Sequence, residues 1–131
     1  RQVRVDLYKV SLMKLPISFF LMCANLCKVD EGQAMCFSEG YLRRALDRLN
    51  ILNHRFIKNN LKYTKNKKSA EYLNFAEDVC GCMLFVTNSA NYNHPRYGNA
   101  NDLILNDLYE FIPFCKNLIV WELYANTKRT D

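Results

Sequence analysis

Glycine and proline are scarce in this chain, four and three among 131 residues, so few turn signals interrupt it. Such scarcity points to helices with short connections. Histidine is scarcer still. His54 and His94 are the only two, which narrows imidazole-based hydrolysis sharply. No HExxH, nucleophile elbow, Walker loop or dinucleotide-binding glycine pattern is present. A Cys–His pair is formally available, yet no spacing favours it. The carboxylate pairs Glu77/Asp78 and Asp102/Asp107 have no neighbours that would force their protonation apart, so glycosidase chemistry lacks support. C-x2-C spacing is absent, which argues against zinc. The expectation is a protein without catalytic activity, cofactor or metal. No Asn-x-Ser/Thr acceptor occurs, so glycosylation lends no support to secretion. No internal repeat or low-complexity segment appears.

A long apolar span is also missing. Leu15 to Cys27 is uncharged between Lys14 and Lys28, but crossing a bilayer takes about 20 residues. A retained signal-peptide core is one reading of this run. A buried first helix is the preferred one, because each later amphipathic segment needs an apolar partner at the centre of a bundle. The chain opens on Arg1 rather than Met, which predicts processing or trimming at its start.

What is present is a long basic amphipathic segment, Ser38 to Lys68. Leu42, Ala45, Leu46, Leu49, Leu52 and Phe56 recur with the spacing of a core-facing helical stripe. The other side is expected to be cationic, with Arg44, Arg48, Arg55, Lys58, Lys62 and Lys65 stacked by the helix into a single positive track. Like charges at these intervals repel, so an anionic partner is the first expectation and a solvated face without partner the plain alternative. Charge is unevenly divided along the chain. Residues 1–68 hold 14 Lys+Arg against 5 Asp+Glu, and residues 69–131 hold 4 against 8. That asymmetry suits anionic lipid or an acidic glycoprotein. The acidic second half and the lack of a base-reading motif argue against nucleic acid.

The expected fold is all-α, a compact up-and-down bundle of about five helices in a single domain covering residues 1–131. Helix one runs from about Asp6 to Lys28 with a kink or late start at Pro16. Val29 to Phe37 forms a loop, and Ser38 caps helix two, which frays over Asn59 to Lys68. Helix three spans about Ser69 to Val86 and turns Leu73, Ala76, Val79, Cys80 and Met83 to one side. Thr87 to Asn99 reads as the one long loop. Helix four starts near Asn101 or Asp102, Pro113 interrupts or opens a last helix ending at Tyr124, and the tail from Asn126 is expected to be mobile.

Six cysteines, Cys23, Cys27, Cys36, Cys80, Cys82 and Cys115, permit three disulfides in a secreted protein. Reduced thiols filling a core are the alternative. Aromatics are plentiful. Phe19 and Phe20, adjacent on a helix, point about 100° apart and cannot share one narrow stripe. Together with Tyr92, Tyr97, Phe114 and Trp121 they are candidates for an exposed apolar contact.

The run Arg43-Arg44-Ala45-Leu46, then Asn50, Asn60 and Asn66-Lys67-Lys68, resembles the second helix of the abalone sperm lysin family, in register and without gaps. The six cysteines and the net acidic second half depart from lysin itself. They make the chain most similar to the family's divergent eighteen-kilodalton, fusagenic acrosomal branch. The resemblance implies a lysin-like five-helix bundle that acts without catalysis, stored in the sperm acrosomal vesicle and secreted on release. It further implies membrane fusion between sperm and egg, with anionic lipids of the egg plasma membrane as partner. In lysin, basic helices of this kind engage the egg envelope, so stoichiometric loosening of an envelope glycoprotein is the second expectation. A generic secreted helical ligand is the third.

Overall fold

The structure, a computed structural model, describes residues 2–59 and 69–106. These form an all-α bundle in the element order α1 (Gln2–Met13), α2 (Ser18–Leu26), α3 (Asp30–Ser38), α4 (Tyr41–Lys58) and α5 (Ala70–Ser89). A two-residue antiparallel ribbon, β1 (Asn93–His94) with β2 (Gly98–Asn99), follows, and residues 100–106 are again helical.

Helix one is in fact two helices. Pro16 has no amide hydrogen to donate and forces the residue before it out of the helical region. The chain accordingly turns by 77° between Asp6–Met13 and Ser18–Leu26. The expected loop at Val29 to Phe37 is likewise a helix, α3. Asp30 and Glu31 occupy its first turn, where carboxylates favour the positive end of the helix dipole. Gly40 adopts a left-handed φ of 74° just past the end of α3, a conformation that L side chains avoid. That residue stops α3 and opens α4, so Ser38 is the last residue of one helix and does not cap the next.

α4 carries the stripe that its periodicity predicts, with Leu42, Ala45, Leu46, Leu49, Leu52 and Phe56 all buried. α5 begins where expected, the Ser69 hydroxyl oxygen accepting a bond from Tyr72 N at 3.1 Å, and runs three residues longer, to Ser89. Its inner face differs from expectation. Ala76 and Val79 are buried together with Tyr72, Phe75, Cys82, Phe85 and Val86, whereas Leu73 and Met83 are half-buried and Cys80 is exposed.

The core lies where α2 and α4 pack on α5. Phe20 stacks on Phe85 at 6.0 Å and Phe56 on Phe75 at 5.8 Å. Carbonyls at the end of α2, unpaired within the helix, are satisfied from outside: Asn88 Nδ2 donates to Ala24 O at 2.9 Å and Gln33 Nε2 to Cys27 O at 2.9 Å. Beyond α5, Tyr92 O accepts from Ala100 N at 2.8 Å and Asn99 Oδ1 from Asn101 N at 2.7 Å, which starts the final described helical turn. The expected fraying at residues 60–68, the break at Pro113, the last helix through Tyr124 and the tail lie outside the described residues.

No single helix among the described residues is long and apolar enough to cross a membrane; only the bent pair α1 and α2 together has the length and composition.

Candidate functional site

The line of basic residues on α4 does not reach solvent as one continuous row. Arg48 is 2% exposed. Its guanidinium forms a two-pronged pair with Asp78 of α5, Nε to Oδ1 at 2.8 Å and NH2 to Oδ2 at 2.9 Å. NH1 donates to the carbonyls of Leu12 and Leu15 at 3.0 Å each, and the group sits 5.9 Å from the Phe20 ring centre. Such a satisfied, charge-assisted fork is what a buried arginine requires. Arg48 therefore fastens α1, α2, α4 and α5 together and is removed from the partner-binding set.

The sequence does contain a signal for this. Arg48 lies one turn from Leu52, about 40° around the axis, so it borders the apolar stripe instead of opposing it. Asp78 lies among Phe75, Ala76, Val79 and Cys82, all buried, and a carboxylate on such a face calls for a cationic partner.

The remaining basic positions fall at the two ends of α4. Arg44 is half-buried; its NH1 donates to Glu39 O at 2.8 Å and the group lies 5.8 Å from the Tyr41 ring. With Tyr8, Phe19, Tyr41 and Glu39 it lines an open cleft of about 410 Å³. Arg55 and Lys58 are exposed in the last turn of α4, where cations complement the negative end of the dipole. Lys62 and Lys65 lie outside the described residues. Between Asp47 and Glu71 the chain has seven basic residues and no acidic one. With Arg48 buried, the cationic excess belongs to the C-terminal end of α4 and the segment after it.

Of the aromatic candidates, Phe20 is buried at 1% exposure and is withdrawn as a contact residue. Phe19 is half-buried, edge-on to Phe20 and to Tyr41 at 5.0 and 5.2 Å. Tyr92 is half-buried against Phe37 at 5.4 Å. Tyr97 is 68% exposed and forms the outer layer of a stack over His94 and Phe37, with centroids 4.8 and 5.2 Å apart. His94 Nδ1 accepts from Arg96 N at 3.0 Å and Tyr97 N at 3.1 Å, a turn-fixing role. Phe114 and Trp121 lie outside the described residues.

A larger apolar surface occurs where a buried helix was expected. α2 is apolar on both sides; Phe20, Cys23 and Ala24 are its buried residues, and Phe19 packs half-buried against the core. Met22 (51% exposed) and Leu26 lie on the outer side, Leu21 lies at its edge close to Gly81 of α5, and Val29 (57%) is exposed in the extended residue before α3. A helix apolar all round is ordinarily covered, and uncovered side chains in register mark a contact surface. The approach to α2 lies beside one exposed cation, Arg55, and two carboxylates, Glu71 and Asp78. Ile17, immediately before α2, lines a cleft of about 350 Å³ together with Arg55, Asn59 and Glu71.

Cys23, Cys27, Cys36 and Cys82 are buried thiols, Cys80 is exposed, and Cys115 lies outside the described residues. Burial pushes the thiols of Cys23, Cys36 and Cys82 above their ordinary range, so each is a core side chain rather than a nucleophile at neutral pH. Among the described residues, no group of three or more His, Cys, Asp or Glu is arranged to hold a metal ion.

The described residues form a helical bundle in which α2 packs on α5 and leaves Met22 and Leu26 exposed on its outer side. Comparison with family models, curated proteins and solved structures returns no match to the chain.

Proposed function

We propose that the protein is a non-enzymatic membrane-perturbing protein that adsorbs to anionic lipid through the cationic end of α4 and inserts the exposed side of α2. The observation that carries this reading is the exposure of Leu21, Met22 and Leu26 on α2 and of Val29 just after it, with Ile17 before α2 lining the Arg55 cleft. Each Lys or Arg close to an anionic surface contributes on the order of 1 kcal/mol, and insertion adds in proportion to the apolar area withdrawn from water. Capture is thus electrostatic and penetration hydrophobic. The lysin resemblance of Arg43 to Lys68 supports a setting for this activity: secretion from the sperm acrosomal vesicle and fusion with the egg plasma membrane.

Content mixing between vesicles containing anionic lipid, at physiological salt, tests the proposal. Mixing by the folded protein is the expected result. Folded protein that leaves vesicles unmixed, yet binds solubilised egg-envelope glycoprotein, replaces this reading with the envelope-loosening one.

A further inference from the structure

Three buried thiols meet where α2 folds back on α3, and the backbone brings those helices unusually close. A Cβ placed on Gly32 would lie 1.7 Å from Leu26 O, so only hydrogen fits at that contact. Cys27 Sγ donates to Gly32 O at 3.9 Å, which fixes the register of the helical hairpin with residues 26 and 27 opposite residue 32. Stepping one turn back along α2 reaches Cys23, and one turn forward along α3 reaches Cys36. Both are fully buried. The Cys36 thiol lies within hydrogen-bonding reach of both Cys23 and Cys27. What separates the two is register: Cys27 sits level with Gly32, to whose carbonyl its sulfur donates, whereas Cys23 and Cys36 each lie one turn further from the connection.

We infer that Cys23 and Cys36 are a disulfide site, a covalent staple between α2 and α3 formed when the chain folds in the presence of a small-molecule disulfide such as oxidised glutathione. The Cys36 thiolate attacks one sulfur of the oxidant, forming a mixed disulfide and expelling one thiol. The Cys23 thiolate then attacks the Cys36 sulfur, forming the Cys23–Cys36 bond and expelling the second thiol. The protein gives up two protons and two electrons, and the oxidant is reduced to two thiols. Because burial suppresses the thiolate in the folded state, the bond forms before the hairpin closes over its core. The staple lies directly beneath Met22, Leu26 and Met35, which are exposed on the outside of the same hairpin, and so it stiffens the apolar surface from below. This inference is independent of the membrane reading.

The test is refolding of the full chain with oxidised glutathione, then alkylation in denaturant and mass mapping of peptides cut by chymotrypsin and trypsin together, since cleavage after Leu26 separates Cys23 from Cys27 and cleavage after Lys28 separates Cys27 from Cys36. The expected result is a Cys23–Cys36 linked peptide, two fewer alkylated thiols, and a melting temperature that falls by about 10 °C on reduction. Cys27→Ser is expected to keep the linkage, and Cys23→Ser to abolish it. Complete alkylation of the refolded wild-type chain overturns the inference, as does a Cys27–Cys36 linked peptide in its place.

Discussion

Arg48 and Arg55 lie two helical turns apart on the same side of α4, about 20° from each other around its axis. One is 2% exposed and the other stands in solvent. Nothing in α4 distinguishes them. The difference is what lies above each: the α1–α2 elbow and Asp78 close over Arg48, whereas Arg55 looks into an open cleft. Charge periodicity reports the side of a helix, and a neighbouring element decides whether that side meets water. The same residue type is consequently a structural fastener at one turn and a candidate for partner capture two turns later.

The comparison breaks most readily at Arg48. Arg48→Ala leaves Asp78 buried without its partner and is expected to destabilise the protein by about 3–5 kcal/mol, read from urea unfolding. Replacing both partners, Arg48→Met with Asp78→Leu, should recover most of that loss. A single variant as stable as wild type would return Arg48 to the surface set. The exposed side of α2 comes next. Leu21→Ser, Met22→Ser and Leu26→Ser together should weaken vesicle binding by about tenfold or more through lost apolar burial. The unfolding midpoint should fall less than for Arg48→Ala, because each of these side chains already meets water over two-fifths to half of its surface.

Arg55→Gln and Lys58→Gln sharpen the contrast from the opposite side. Each should lower affinity for anionic vesicles by roughly fivefold, equivalent to about 1 kcal/mol. The effect should fade as salt rises, since exposed charges are screened. Equal loss at low and high salt would contradict an electrostatic role.

The smallest effect concerns Tyr8, which joins α1 to α4 by donating to Asp47 Oδ2 at 2.6 Å. Partial burial first, then the bond to Asp47 and its negative charge, push the phenol from 10.0 up to about 12. The folded state therefore holds this proton more tightly than the unfolded chain. Its stabilising contribution is complete below pH 10 and is lost as pH rises through about 12. Tyr8→Phe should flatten that alkaline slope in thermal melts recorded between those limits, by less than about 1 kcal/mol for so exposed a contact.

Much of the bundle is legible in the sequence where one force dominates. The α4 stripe, the Ser69 start of α5 and the interruption at Pro16 each follow from local geometry or a single missing donor. α3 was not legible because Asp30-Glu31-Gly32 has the composition of a turn, while its true logic is tertiary: Gly32 is required by Leu26 O from the neighbouring helix. Gly40 marks the boundary that Ser38 had been expected to mark. At the candidate site, Arg55 and Lys58 are where spacing puts them. Arg48 and Phe20 are not, because their surroundings come from α1 and α5, distant in the chain. The exposed side of α2 was hidden for a related reason, since hydrophobicity on both faces says nothing about which one is covered.

The elbow at Pro16 carries a consequence for the order of assembly. Leu12 O, which also accepts from Leu15 N, and Leu15 O are met by a guanidinium 36 and 33 residues later in the chain. Until α4 has emerged and docked, the elbow is held by Pro16 and by local backbone bonds alone. α1 should accordingly be the last helix to acquire protection from amide exchange during refolding, and the first to surrender it when the protein begins to open.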